Sequence, residues 1–151
     1  MNKLAVLLTM LFLCLSLNAE LPQERKTLQV PQSDITCLTK NIYREASGES
    51  FKGKLAVGVV TLNRLFSGKY GSTICKVVYY PGQFSWTRDL NAKTKINKDK
   101  WQESLLAAYI VLEDIKILGD FNATHFHNAS VQPKWGLRKV AVIGNHTFYG
   151  V

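Results

Sequence analysis

Apolar residues recur at helical spacing in several stretches of the chain. Ile35, Leu38 and Ile42 follow Asp34, a good N-cap, and Gly48 is placed to end the run, so a helix is expected over 35–46. From Phe51 to Phe66 the residues are apolar nearly all round. That length exceeds a usual strand, which predicts a central buried helix ended by Gly68, although its β-branched residues also suit a strand. Ser72 to Tyr80 reads as a short helix capped by Ser72 or as a strand, before a Pro81-Gly82 turn. Asn97 or Asp99 opens another helix with Trp101, Leu105, Ala108, Leu112 and Ile115 as its stripe and Gly119 as its stop. Beyond it, 123–128 and 139–149 look extended. The expected fold class is α+β, helices packed beside a short antiparallel sheet.

The first segment changes the picture. One early lysine, an apolar run from Leu4 to Leu17 and a small residue before Glu20 describe a secretory signal peptide over 1–19. The run is short for a membrane span, which needs about 20 apolar residues. An uncleaved anchor is the alternative, and only then would the protein touch a membrane. Residues 20–33, with Pro22 and Pro31, read as a surface leader, leaving 34–151 as one domain with one core. Cys14 falls within the apolar run. That leaves Cys37 and Cys75, an even pair in an exported domain and a candidate disulfide, with two buried thiols as the other reading. Its loop of roughly 38 residues would be worth about 3–4 kcal/mol in the chain-entropy model.

The formal charge of +8 falls to +7 if Lys3 leaves with the signal segment, 18 basic residues standing against 11 acidic ones. Such a balance predicts an acidic partner, and export turns the choice from nucleic acid to an anionic wall. Lys93, Lys95, Lys98 and Lys100 could attract it or could simply be a solvated loop. Three Asn-x-Ser/Thr sequons, at Asn122, Asn128 and Asn145, are read as chance.

The candidate chemistry starts at Glu45. Three residues beyond Ile42, it sits on or beside the buried stripe of its helix. Burial raises a carboxyl pKa, and a Glu tuned upward can hold a proton near neutral pH and donate it. Pairing with a Lys or Arg at the helix end is the plainer reading, and spacing alone does not choose. His125 and His127 alternate on an expected strand and so share a face. With His146 they could form a three-His zinc site, or they could line a cleft or brace the sheet.

Several ordered motifs bear on the choice. Tyr43-Arg44-Glu45-Ala46-Ser47-Gly48-Glu49, Ala56-Val57, Asn63-Arg64, Cys75 and Gln83-Phe84-Ser85-Trp86 resemble the SleB/CwlJ-type cell-wall hydrolase family. His125-Phe126-His127-Asn128, Pro133-Lys134-Trp135 and the run from Ile143 to Tyr149 are similar too, so the resemblance covers about 36–149. Ser47 stands where the family's signature usually has Arg, and both carboxylates are kept. The cysteine pair also resembles one found in the family.

The resemblance implies a small lysozyme-like domain. It implies cleavage of the β-1,4 bond from N-acetylmuramic acid to N-acetylglucosamine, with Glu45 as general acid and base and no metal or other cofactor. A second carboxyl, as in ordinary glycosidases, would come from Glu49, Asp89, Glu103 or Asp120, none of which sits in a motif that demands it. A lone Glu favours a lytic transglycosylase over a hydrolytic muramidase. The expected partner is peptidoglycan, met by a monomer outside the cell or in the periplasm. Gln83, Ser85, Trp86 and His127 are the foremost cleft candidates, with Phe84, His125, Trp135, His146 and Tyr149 beside them. One of Phe84 and Trp86 is expected in the core. A zinc amidase or peptidase built on His125, His127 and His146, and a non-catalytic wall-binding module, are the rival readings.

Overall fold

The computed structural model describes residues 29–88 and 95–150. The expected signal peptide, most of the leader, Asp89 and Lys93 lie outside the described residues. In order come α1 (Gln32–Ala46), α2 (Phe51–Phe66), α3 (Ile74–Val78), a 3-10 turn (Ser85–Arg88), α4 (Lys98–Glu113), β1 (His125–Asn128), β2 (Arg138–Ile143) and β3 (His146–Gly150). This is the α+β class the pattern predicts.

Helix α2 is the centre. Its residues from Gly53 to Leu62 are all buried, as an all-round apolar sequence requires. Ser50 caps its start, its side chain accepting from the Gly53 N–H. Helices α1 and α4 pack on it. Gly58 makes the close approach possible: a Cβ there would lie 3.0 Å from Val111 and 3.2 Å from Ile42. The most buried residues of α4 are accordingly Ser104, Ala107, Ala108 and Val111, while the larger Trp101, Leu105 and Leu112 flank them half-buried.

Several boundaries differ from expectation for identifiable reasons. Helix α1 begins at Gln32, not after Asp34. The Asp34 carboxylate lies within the first turn and accepts from the Cys75 N–H at 3.0 Å, so a tertiary partner takes the atom that would have capped the helix. Thr73, not Ser72, caps α3. Helix α4 ends at Glu113, before Ile115 and Gly119, because Asp114 adopts an extended conformation. The stretch 139–149 is not one strand but a hairpin turning at Gly144 and Asn145.

The sheet runs β1-β3-β2, antiparallel throughout. Phe126 lies opposite Phe148, and His125 opposite Tyr149. Side chains alternate between faces, so Phe126, His146 and Phe148 look into the core while His125, His127 and Tyr149 look outward. Asn63, at the end of α2, fastens the sheet's entry by donating to the carbonyls of Phe121 (3.0 Å) and Ala123 (2.9 Å). A disulfide joins Cys37 of α1 to Cys75 of α3, as the cysteine arithmetic anticipated.

Candidate active site

Glu45 occupies the last turn of α1, half-buried where the helix passes the core. Burial pushes its carboxyl from 4.5 up to about 7, and the Arg64 guanidinium pulls only partly the other way. Among the described residues no ion pair closes on Glu45. The plain reading of a carboxylate neutralised at a helix end therefore does not describe this geometry. A carboxyl held near 7 is about half protonated at neutral pH and can both give and take a proton.

Glu49 lies in a different environment. The chain leaves α1 at Ala46, and the Glu49 carboxylate reaches the β2–β3 turn, accepting from the Asn145 N–H (3.0 Å) and side-chain amide (3.1 Å). These bonds hold its pKa below the ordinary value. Lys54, only 2% exposed, donates to the Glu49 carbonyl at 2.7 Å and pairs with Glu103 at 3.1 Å. Two of the other carboxylates considered as partners for Glu45 are thus engaged in holding the loop that follows it. Asp120 lines a separate recess with Asn63, Ile115 and Phe121.

Arg64, whose charge acts on Glu45, also lines a polar recess of about 480 Å³ together with Gly82, Gln83, His125, Phe126, Trp135 and Leu137. Beside it stands an aromatic platform. Trp135, 44% exposed, lies 5.6 Å from His125, 5.8 Å from His127 and 5.8 Å from Tyr149, ring centre to ring centre. His127 stacks on Tyr149 and shares a 3.0 Å hydrogen bond with its hydroxyl. Open aromatic faces next to amide and imidazole groups suit sugar rings bearing N-acetyl substituents.

The structure thus brings Gln83, His125, His127, Trp135 and Tyr149 together. It corrects the placement of two other candidates. Phe84 is buried against Phe126 and beneath Arg64, in the core. His146 is buried on the inner sheet face among Phe126 and Phe148, with an unpartnered Nδ1, and burial lowers its pKa. The register sets it on the opposite face from His125 and His127, so the three cannot converge on one ion. Trp86 packs half-buried on α1, its indole donating to Asn41 at 3.0 Å, and Ser85 is exposed beside it. Lys95, Lys98 and Lys100 are exposed.

The sequence assigned Arg64 no role and offered Glu49 only as a possible second carboxyl, not as the anchor of the β2–β3 turn. Their signal was a polar Asn63-Arg64 pair ending an otherwise apolar helix, and a carboxylate just past a glycine. Neither says what it will touch.

Fold and site together define an α+β domain with a neutral-range carboxyl at the end of α1 and a polar, aromatic-walled recess lined in part by Arg64, whose charge acts on that carboxyl. A family model described as Cell Wall Hydrolase matches residues 48–149. The chain belongs to this cell wall hydrolase family. Glu45 lies just ahead of the matched span. The spore cortex-lytic enzyme of Oceanobacillus iheyensis is 30% identical over 120 residues, 78% of this chain but 41% of that protein. The chain therefore spans less than half the length of such relatives. The catalytic domain of the Bacillus cereus SleB protein superposes with a TM-score of 0.67 at 25% identity, over 80% of this chain and 91% of that one. The catalytic domain of the germination-specific lytic transglycosylase SleB from Bacillus anthracis does so at 0.67 and 26%, over 81% and 98%.

Proposed function

We propose that this chain is a peptidoglycan-degrading enzyme that acts outside the cell membrane. It cleaves the β-1,4 bond from N-acetylmuramic acid to N-acetylglucosamine as a lytic transglycosylase, with Glu45 as its single acid and base. The observation that carries the reading is the Glu45 carboxyl, held at about 7 by burial, with no ion pair closing on it among the described residues. Its proton goes to the glycosidic oxygen as the anomeric carbon–oxygen bond breaks. The carboxylate then takes the proton of the 6-hydroxyl on the same muramic ring, whose oxygen closes on the anomeric carbon. The product is a 1,6-anhydro sugar, Glu45 regains its proton, and no water is consumed.

A lone carboxyl suffices for this route, and the engagement of Glu49 with Asn145 and of Glu103 with Lys54 favours it over a two-carboxylate hydrolysis. Recognition of the strand falls to Gln83, His125, His127, Trp135 and Tyr149 around the recess. Among the described residues no helix is long and apolar enough to cross a membrane. Mass spectrometry of sacculi digested by wild type and by Glu45→Gln tests bond, product and residue together. Anhydro-muropeptides from the wild type and none from the variant are expected. Reducing-end products would point to a muramidase, and unchanged release by the variant would sink the role of Glu45.

A further inference from the structure

Arg64 is a buried cation, 4% exposed, at the end of the central helix α2. Its surroundings come from three separate segments. Nε donates to the Thr124 carbonyl at 2.7 Å, on the residue leading into β1. Nη1 donates to the Gln83 carbonyl at 3.5 Å, on the turn before the 3-10 segment. The guanidinium lies 4.8 Å from the centre of the Phe84 ring and 5.8 Å from that of Tyr70. Gln83 and His125, the residue after Thr124, are walls of the recess, and Arg64 is part of its floor. One side chain therefore spans the α2 end, the Gln83 turn and the β1 entry, and its charge acts on Glu45 from another element.

We infer that Arg64 is the positioning residue of this site: it holds the Gln83 turn and the β1 entry in register around the recess and supplies the positive charge that acts on the Glu45 carboxyl. The inference rests on the reading of Glu45 as the acid. Among the described residues, the other charged and titratable groups around the pair include Arg44, adjacent on α1 with its guanidinium over Trp86; Glu49, turned to Asn145; His125; Tyr70; and Lys69. Burial first, then Arg64 and Lys69, keep the His125 pKa low, so its ring leaves the positive charge to Arg64.

The two roles separate in Arg64→Gln and Arg64→Lys. A carbon-13 titration of the Glu45 carboxyl and the pH profile of turnover on soluble glycan strands read them out. Loss of the charge in Arg64→Gln raises the Glu45 midpoint by roughly one pH unit, and the alkaline limb of activity moves up with it. Arg64→Lys keeps the charge and loses the guanidinium's fork, so the midpoint stays while kcat/KM on glycan strands falls about tenfold. A merely structural arginine would lower turnover equally at every pH and leave the midpoint in place, and that result in folded Arg64→Gln overturns the inference. Should Arg64→Gln not fold, full kcat/KM in Arg64→Lys overturns it instead. The titration needs no activity, so it still decides if Glu45→Gln proves active and the catalytic reading fails.

Discussion

Replacing Glu45 by Gln should make the protein's stability less sensitive to pH, by an amount the structure sets. The carboxyl titrates at about 7 in the fold, against 4.5 as its ordinary value. Each pH unit of difference is worth 1.36 kcal/mol, so ionising this group inside the fold costs about 3 kcal/mol. The sign follows from a folded pKa raised above the unfolded one. The stabilising contribution of the protonated group is complete below about 4.5, and it is lost as pH rises through about 7. Glutamine has no proton to lose. Whatever constant offset the substitution brings, the variant should gain about 3 kcal/mol on the wild type between pH 4 and pH 8. For a domain of this size that is on the order of 10 °C in melting temperature. Urea denaturation of both proteins across this range, with the disulfide intact, measures it. A difference that does not vary with pH would refute the claim that burial holds the carboxyl near 7. On the proposed role of Glu45 as general acid, the same variant should also cut turnover by roughly 10²–10⁴.

Three other outcomes are expected. Replacing Cys37 and Cys75 together by Ser opens a loop of 38 residues and should cost about 3–4 kcal/mol in denaturant unfolding; an unchanged midpoint would show that the loop is already ordered without the bridge. Gly144→Ala forces a side chain into a backbone with φ of 58° and onto the Glu49 carboxylate, so it should destabilise by more than about 1 kcal/mol. The cost should shrink when Glu49→Ala is already present, and equal costs in the two backgrounds would mean the two do not touch. Trp135→Ala removes the exposed wall of the platform and should raise KM on glycan strands about fivefold, an aromatic face being worth about 1 kcal/mol; initial rates showing a fall in kcat alone would place Trp135 elsewhere in the cycle.

Much of the fold was legible because it depends on local order. Helix α2 matched its expected span because sixteen consecutive residues suit the interior of a helical domain whatever surrounds them. The alternation at His125 and His127 was legible because strand geometry alone dictates it. The boundaries that moved did so where a partner distant in sequence decided the matter. Asp34 was free to cap its own helix until the Cys75 N–H took its carboxylate.

The sequence by itself determined that Glu45 stands on the edge of a buried helical face, that two cysteines remain for a bridge, and that an ordered set of family motifs runs through the domain. These follow from spacing and residue type. Tertiary structure alone decided which carboxylate keeps a neutral-range proton. Glu45 and Glu49 differ little as sequence, yet burial raises one while Asn145 clasps the other. It also parted His146 from His125 and His127, because pairing register, not composition, sets the face on which a strand residue lies. Arg64 shows the same limit: its partners Thr124 and Gln83 lie 60 and 19 residues away along the chain, and only folding brings their carbonyls to one guanidinium.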